Sequence, residues 1–357
     1  MGIRLSLGHV EKFDDTVAAF ARQLGMRGVQ LHAPADLRGE GGCWSVEELR
    51  ALRDRCEAAG LQIDGLENVP AAAFAKIQRG TPGRDEQIEN YCTTLRNMAR
   101  AGIFLLGYNF QATYVWRTDM NAAGRGGARV TSFDLATAAG GNALAGYKLT
   151  PGGELDEPLD AGQMWANHRY FLDAVLPVAE EAGVRLALHP DDPPVDVPLG
   201  GAARIFTTPA ALAIAFDQAR QSPAWGVDLC LGTVSEMGGE AAINHVIDFF
   251  GPKGRICYVH FRDVQGVVPS FRECFLGEGN YDPAAVIRRL DKAGFDGFLI
   301  DDHVPAMTGD RGTWGDTSAD AYCSRGRAHA IGYLQGLLHA LGVAAGAGMA
   351  TGPGAGS

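Results

Sequence analysis

Long apolar runs are absent from this sequence of 357 residues. No stretch of about 18 consecutive apolar residues occurs, and the first residues lead into an amphipathic segment instead of an apolar leader. Basic side chains are also scarce, since 31 Lys and Arg face 42 Asp and Glu and give a formal net charge of -11. A protein that binds the phosphate backbone needs the opposite balance. We therefore expect a cytoplasmic protein that binds neither membranes nor nucleic acid.

Paired-cysteine motifs are missing as well. The seven cysteines are an odd number and include no CxxC pair, so we expect reduced thiols in a reducing compartment, most of them buried. The sequence also has no GxGxxG, GxxxxGK[ST], HExxH or GxSxG motif. Dinucleotide-binding, P-loop, zincin and α/β-hydrolase functions are therefore without support.

An eightfold alternation of short apolar, β-branched runs with longer segments of helical period is present instead, which is the pattern of βα units. The predicted strands are residues 3–8, 28–32, 61–69, 103–110, 184–189, 226–231, 255–261 and 297–303. The predicted helices are residues 13–24, 45–59, 84–101, 163–182, 208–220, 240–250, 282–293 and 318–341. This pattern favours an α/β fold with a closed (β/α)8 TIM barrel, and leaves an open doubly wound sheet as the alternative.

One catalytic domain spanning residues 1–341 is expected. Residues 111–161, after the fourth predicted strand, are rich in glycine and do not follow the repeat. A loop of this length on the catalytic face is typical of a lid. Residues 342–357 are almost entirely Gly, Ala, Ser and Pro, a composition that predicts a disordered tail.

Polar side chains stand at the ends of most of the predicted strands. Because parallel barrel strands all point toward one face, these side chains are expected to converge there. The candidates are His32, Glu67, Asn68, Asn109, His189, Cys230, His260, Arg262, Asp301, Asp302 and His303. Any one of them alone is better explained as an ordinary polar residue of the barrel rim.

Four of these residues are of types that bind a divalent transition metal. His189, Cys230, His260 and one of the two aspartates end the last four predicted strands. Packing alone does not explain four such groups at equivalent positions. A thiolate, two imidazoles and a carboxylate suit Fe(II), Mn(II), Co(II) or Zn(II), whereas the thiolate argues against Mg(II) and Ca(II).

Five short segments, in this order and spacing, resemble the mannonate dehydratase family. They are GLENVP at 65–70, YNF at 108–110, HPDDPP at 189–194, VHFR at 259–262 and DH at 302–303. HPDDPP is the most specific of them, and the resemblance spans nearly the whole chain. It implies a xylose-isomerase-like TIM barrel that binds Mn2+ or Fe2+ and dehydrates D-mannonate, a small sugar acid, to 2-keto-3-deoxy-D-gluconate.

The resemblance also assigns roles to single residues. It implies His189, Cys230, His260 and Asp302 as metal ligands, and so selects Asp302 over Asp301, which is left with a supporting or structural role. The reaction removes a weakly acidic proton beside a carboxylate and expels the neighbouring hydroxyl, so it needs an electrophile, a base and an acid. The metal would be the electrophile.

His303, next to a ligand, is the candidate acid. The resemblance places Tyr322 near a catalytic tyrosine, which makes it the candidate base, with Arg325 or Arg327 as the nearby cation. A tyrosine on the last helix is otherwise more often a packing residue.

The remaining candidates concern the substrate. Arg262 follows a ligand by two residues and suits bidentate contact with a carboxylate or hydroxyls, a role that supports both binding and catalysis. A salt bridge to a neighbouring acid is its alternative. Glu67 and Asn109 are expected to bind substrate hydroxyls. His32 is either a third such residue or a structural one.

The sequence departs from the family pattern at Val304 and Pro305 and in the stretch before Tyr322. These positions lie at the acid-base end of the expected site. Two other functions therefore stay open: a sugar or sugar-acid isomerase or epimerase on the same metal-binding barrel, and a non-catalytic sugar-acid-binding homologue. No heptad or exposed apolar stripe identifies an interface, which leaves a homo-oligomer open.

Overall fold

The computed structural model describes residues 2–138, 144–145, 155, 157–310 and 322–343. Its strands are β1 (Arg4–Val10), β2 (Gly28–His32), β3 (Gln62–Glu67), β4 (Leu105–Tyr108), β5 (Trp116–Arg117), β6 (Asp119–Ala123), β7 (Arg129–Asp134), β8 (Leu144–Ala145), β9 (Arg185–Leu188), β10 (Trp225–Cys230), β11 (Ile256–Phe261), β12 (Val264–Val267), β13 (Ser270–Glu273) and β14 (Phe298–Asp301). Its α-helices are α1 (Asp15–Gln23), α2 (Val46–Ala58), α3 (Ala75–Arg79), α4 (Arg84–Arg100), α5 (Leu135–Thr137), α6 (Ala161–Ala182), α7 (Pro209–Gln218), α8 (Leu231–Phe250), α9 (Pro283–Lys292) and α10 (Ser324–Leu341).

Eight parallel strands close into a barrel in the order β1-β14-β11-β10-β9-β4-β3-β2. All eight overlap the predicted strands, so the TIM-barrel prediction is confirmed and the open sheet is excluded. Strands β10 and β11 are buried at every position, which agrees with their near-continuous apolar sequences, since helices cover the outside of a parallel barrel. The register pairs Cys230 with His260 across these two strands, and so places two predicted ligands side by side.

Local signals in the sequence account for the helix ends. Ser45 and Glu48 form the capping box at the start of α2, each side chain bonding the backbone of the other residue. α6 is capped at its carboxyl end by Gly183, which adopts a left-handed conformation with φ of 68° that favours glycine. Among the described residues, no helix combines the length and the apolar character that crossing a membrane requires.

Two of the predicted helices differ from their predicted bounds by more than a few residues. α8 starts at Leu231, directly after β10, whereas the prediction began at 240. Its backbone is not helical at Gly238 and Gly239. Because this glycine pair interrupts the helical period, the sequence does not show the first two turns as part of the same helix. α10 starts at Ser324, whereas the prediction began at 318. Residues 318–321 and residues 344–357 of the predicted tail lie outside the described residues.

The segment after β4 is predicted to be irregular, but its described part includes the strands β5, β6 and β7. β6 and β7 join β12 and β13, from the loop after β11, in an antiparallel sheet of order β12-β13-β7-β6. Phe133 of β7 stacks on Phe271 of β13 with ring centroids 5.9 Å apart. These strands are short and depend on a hairpin far away in sequence, so local periodicity could not reveal them. Phe133 and Phe271 of this sheet pack in one buried cluster with Val195 and Leu199 from the loop after β9.

Candidate active site

The four predicted ligands meet at the carboxyl ends of β9, β10, β11 and β14, which are consecutive in the barrel. Ligand atoms of His189, Cys230 and His260 all lie within 4.8 Å of one another. Asp302 completes the group, since its Oδ2 lies 3.6 Å from Cys230 Sγ and 3.8 Å from His260 Nδ1. All four side chains are buried. The order of strands in the barrel therefore brings together residues that are more than 110 positions apart in sequence.

Cys230 occupies the N-cap position of α8. The Thr233 backbone N–H and hydroxyl both donate to its sulfur, at 3.4 and 3.2 Å. Burial raises the pKa of the thiol, but the Arg262 charge and hydrogen bonds with His189 and His260 outweigh it and lower the pKa to about 5. Cys230 is therefore a thiolate at neutral pH, the form in which cysteine binds metals.

Carboxylates deeper in the barrel orient the ring of His260. Its Nε2 lies 3.1 Å from both Glu67 Oε2 and Asp228 Oδ2. Tyr258, two residues earlier on β11, donates to the same Glu67 oxygen at 3.0 Å. Since these contacts occupy Nε2, Nδ1 is the atom that faces Cys230 and Asp302. A carboxylate behind a ligating imidazole is a common support of metal sites.

The HPDDPP segment holds His189 through its own backbone. His189 Nδ1 lies 2.6 Å from the carbonyl oxygen of Pro190, which leaves Nε2 toward the cluster. Asp191 anchors the loop by accepting the backbone N–H groups of Ile205 and Phe206 at 2.6 and 3.1 Å. Asp192 pairs instead with two buried arginines.

The electrostatics of the cluster fit a divalent cation. Burial lowers the pKa of His189, but its hydrogen bond with Cys230 and the charges of Cys230 and Asp228 raise that pKa to about 10. Despite the opposing effect of burial, Asp228 and Glu67 likewise raise the pKa of His260 well above its usual range. Protons thus bind tightly at the two imidazoles because the cluster is rich in buried anions. A cation held by the same four groups would neutralise that charge.

Asp302 also contacts both the candidate base and the candidate acid. The Tyr322 hydroxyl donates to its Oδ1 at 3.0 Å, and His303 Nε2 lies 3.6 Å from the same oxygen. The rings of His303 and Tyr322 meet edge to face, with centroids 5.4 Å apart. The structure therefore brings the candidate acid and the candidate base to the same oxygen of one candidate ligand carboxylate.

Arg262 lies at the base of the pocket among several acids. Its Nη1 is 2.9 Å from Asp192 and 3.2 Å from Glu273, its Nη2 is 2.9 Å from Glu236, and its Nε is 3.5 Å from Asp302. The salt bridges considered from sequence are thus present. Arg262 still lines the pocket, so its charge faces both the cluster and any bound anion.

One pocket is lined by all of the residues predicted for the metal, acid–base and substrate roles except Cys230. Its lining residues include His32, Glu67, Asn109, His189, His260, Arg262, Asp302, His303 and Tyr322. Asn109 is half-buried at its edge. Glu67 bonds to Gln30 at 2.6 Å as well as to Tyr258 and His260, so it is held deep in the barrel.

The two cations predicted near Tyr322 differ in position. The Arg327 guanidinium lies 5.8 Å from the centre of the Tyr322 ring and forms a bidentate ion pair with Asp301 at 2.6 and 3.2 Å. Arg325 bonds to the carbonyl oxygen of Thr308 and, through its backbone N–H, to Asp310.

Several site residues escaped the sequence analysis. His9 stacks on Tyr322 and His32 with ring centroids 3.9 and 4.1 Å apart, and the strand-end rule would have included it had β1 been extended past Gly8. Asp228 precedes Cys230 by two residues and therefore shares its face of β10, a signal of period two. Nothing in the sequence around Glu273 points to the site.

A parallel barrel that gathers a thiolate, two imidazoles and a carboxylate at adjacent strand ends defines the class of metal-dependent (β/α)8 enzymes. Comparison with known families specifies which one. The model of the D-mannonate dehydratase (UxuA) family matches residues 11–346, and the chain belongs to that family. It is an enzyme of the lyase class.

Similar proteins agree over almost the full length. A mannonate dehydratase from Thermotoga neapolitana is 31% identical over 363 residues, covering 93% of this chain and 95% of the relative. Mannonate dehydratase 2 from Halalkalibacterium halodurans is 30% identical over 359 residues, covering 95% and 99%. The crystal structure of mannonate dehydratase from Streptococcus suis serotype 2 superposes with a TM-score of 0.80 at 29% identity, covering 96% of this chain and 95% of that one.

Proposed function

We propose that this protein is a metal-dependent hydro-lyase that dehydrates D-mannonate to 2-keto-3-deoxy-D-gluconate and water. The observation that carries the proposal is the meeting of Tyr322 and His303 on Asp302, beside the His189–Cys230–His260 cluster. An elimination across two neighbouring carbons needs a base and an acid held close to one electrophile. Family membership supplies the substrate.

The four ligand side chains would hold Mn2+ or Fe2+. When bound, such an ion supplies Lewis-acid stabilisation of the negative charge that develops on the substrate carboxylate. The thiolate and the imidazoles favour a transition metal over Mg2+. All seven cysteines are unbridged, which supports a reducing compartment, the cytoplasm.

Tyr322 is the proposed base. Its hydroxyl bonds to Asp302 Oδ1 at 3.0 Å, while its ring is held between the stacked ring of His9 and the edge of His303. This packing leaves little freedom to the phenol oxygen. The reacting form of Tyr322 is the phenolate, whose hydroxyl proton has left to solvent. In the proposed reaction its oxygen takes the proton from C2, and the electron pair of the C–H bond forms the C2–C3 double bond.

His303 is the proposed acid. As the C3–O bond breaks, the departing hydroxyl takes a proton from His303 Nε2 and leaves as water. The resulting enol then rearranges to the 2-keto acid. Tyr322 and His303 both lie within 3.6 Å of Asp302 Oδ1, close enough together to remove a proton and a hydroxyl from adjacent carbons.

The remaining pocket residues would bind the sugar acid. Arg262 provides a buried positive charge toward the carboxylate end. Asn109 is half-buried at the pocket edge and suits a substrate hydroxyl, as does His32 beside it. Three protein groups already contact Oε2 of Glu67. A substrate hydroxyl would therefore bind its other oxygen, Oε1. The partner is thus a small anionic sugar acid.

A panel of hexonates tests the proposal. Protein loaded with Mn2+ or, without oxygen, with Fe2+ should form a 2-keto-3-deoxy acid from D-mannonate, and protein treated with a chelator should not. If no hexonate reacts while the metal is bound, the dehydratase proposal is wrong. Interconversion of ketoses by the same sample would then favour the isomerase or epimerase function.

Two substitutions separate an enzyme from a sugar-acid-binding protein. Tyr322→Phe and His303→Gln should lower kcat by about 100-fold or more, while the bound metal measured by elemental analysis stays near that of the unmodified protein. If the unmodified protein binds D-mannonate tightly but does not turn it over, and both variants bind it equally well, the non-catalytic function is favoured.

A further inference from the structure

A carboxylate from outside the barrel contacts the candidate acid. Glu273, at the end of β13, is 1% exposed, and its Oε1 lies 2.5 Å from His303 Nδ1. The same oxygen lies 3.2 Å from Arg117 and 3.2 Å from Arg262. Burial raises the pKa of Glu273, but His303 and the two arginines outweigh it and lower the pKa to about 2. Glu273 is therefore an anion that can only accept hydrogen bonds.

The contact with Glu273 determines that the Nδ1 atom of the His303 ring carries a hydrogen. Arg262 Nη1 also lies 2.9 Å from His303 Nδ1, and Nδ1 cannot both accept from Arg262 and donate to Glu273. A lone pair facing an anionic oxygen at 2.5 Å would be strongly repelled, so Nδ1 must carry a hydrogen and donate it to Glu273. Nε2 is left for the pocket, on the side of Asp302.

We propose that Glu273 is the positioning residue of the acid: it fixes the His303 ring so that Nε2 holds the proton that the departing C3 hydroxyl takes. The inference rests on the dehydratase function proposed above. It goes beyond that function because it assigns a role in catalysis to the antiparallel sheet β12-β13-β7-β6. β13, which carries Glu273, pairs with β7 of the segment after β4, so this sheet supports the acid.

Glu236 provides a matched comparison. It is also a fully buried glutamate paired with Arg262, at 2.9 Å, but none of its observed contacts is with His303. Replacing either glutamate by glutamine changes one buried side chain that contacts Arg262 and leaves its size almost unchanged. Only Glu273→Gln replaces the anionic acceptor of His303 Nδ1 by a neutral amide, whose oxygen is a weaker acceptor and whose NH2 group can only donate.

The test compares two substrates whose leaving groups differ in their need for a proton. D-mannonate loses a hydroxyl, whereas 3-deoxy-3-fluoro-D-mannonate loses fluoride, which departs without an acid and gives the same enol. Glu273→Gln should lower kcat on D-mannonate by about 100-fold with little change in KM, and should lower fluoride release by less than about tenfold. Glu236→Gln should lower both rates by less than about tenfold.

Melting temperature and bound metal are measured for each variant. If Glu273→Gln does not fold, Glu273→Asp keeps the charge beside the arginines but is one methylene too short to reach Nδ1, and it should show the same selective loss. Equal losses on both substrates, or a loss on D-mannonate no larger than that of Glu236→Gln, would refute the role of Glu273. Inactivity of the unmodified protein on D-mannonate would refute the dehydratase function instead.

Discussion

Cys230 differs from the other buried cysteines in what surrounds its sulfur. Two donors from Thr233, two imidazoles and the Arg262 charge stabilise its thiolate. Cys257, on the neighbouring strand β11, is similarly buried, but burial raises the pKa of its thiol to about 11. Of these two cysteines on adjacent strands, Cys230 is thus an anion at neutral pH and Cys257 is neutral, and only the anion suits a metal.

Replacing Cys230 by serine should remove metal binding. A serine hydroxyl stays protonated at neutral pH, so the site loses an anionic ligand. We expect the affinity for Mn2+ to fall by more than about 100-fold, a larger loss than that caused by removing a residue that only supports a ligand. Metal content after dialysis measures this. Cys257→Ser is the control and should keep one bound ion, and a Cys230→Ser protein that keeps it equally well would contradict the assignment.

The positions of single residues were predictable where the barrel itself places them. His189, Cys230, His260 and Asp302 end parallel strands, and in a closed barrel all such ends converge, so identifying the strands was enough to group them. Glu273 has no such rule behind it. It lies opposite Val264 in the β12–β13 hairpin that follows β11, and β13 pairs in turn with β7, a tertiary contact that no local pattern encodes.

At the level of elements, the close approach of β1 to β14 shapes one side of the site. A Cβ on Gly8 would lie 2.5 Å from Ile300 Cβ and 2.7 Å from the Asp301 carbonyl oxygen. The Gly8 N–H donates to Asp301 at 3.1 Å, and its carbonyl accepts from Arg327. His9 follows with a φ of 47°, unusual for a residue other than glycine. Gly8 therefore allows β1 to turn the His9 ring toward Tyr322.

Gly8→Ala should separate these two strands. The added methyl group meets backbone and a side chain that cannot move far, so we expect a loss of about 1–3 kcal/mol in the free energy of unfolding. Metal affinity should fall as well, because Asp302 follows β14 directly. Urea denaturation and metal titration measure the two effects.

Gly332→Ala is the control for Gly8→Ala. Gly332 is exposed within α10, and a Cβ there meets nothing within 4 Å. This substitution should raise the free energy of unfolding by up to about 1 kcal/mol through helix propensity. A Gly8→Ala protein as stable as the unmodified one would contradict the close packing of β1 and β14.

The helices and strands that could be predicted are those whose own residues determine their structure. Each barrel strand is a buried apolar run followed by a helix with its own caps, such as Ser45 at α2 and Gly183 after α6. β5, β6 and β7 lack that support. β6 alternates between exposed and half-buried positions and is a strand only because β7, in turn held by β13, lies beside it.

For the whole molecule, the proposed metal would join four consecutive barrel strands. Removing it should therefore lower global stability and loosen one side of the barrel. At free metal about 100 times its Kd, bound metal contributes about 2.7 kcal/mol, which a chelator should abolish. Hydrogen exchange should rise at β9, β10, β11 and β14 more than at β2 and β3. Uniform exchange in both forms would contradict a metal bridge, and Cys230→Ser should show no response to the chelator.

Stability should also fall with acid through a histidine far from the metal cluster. His168, in α6, is fully buried, with Nε2 3.1 Å from the Tyr108 hydroxyl and Nδ1 2.9 Å from Gln218 Oε1. Trp225 donates to the same Tyr108 oxygen at 2.9 Å, so the tyrosine hydrogen is directed to Nε2. The neutral ring satisfies all of these groups. Burial lowers the pKa of His168 to about 4, from an ordinary 6.5.

Between about pH 4 and 6.5 the folded protein therefore holds fewer protons than the unfolded chain. The stabilisation that neutral His168 provides is complete above pH 6.5 and is lost as the pH falls through this window. The difference between the two pKa values corresponds to about 3 kcal/mol. His168→Gln should lower stability at pH 7 but flatten its decline toward pH 4. Urea titrations in the presence of a chelator measure this without metal release. Replacing the exposed His245 by glutamine should leave the curve unchanged, and a His168→Gln curve as steep as that of the unmodified protein would show that His168 is not the group responsible.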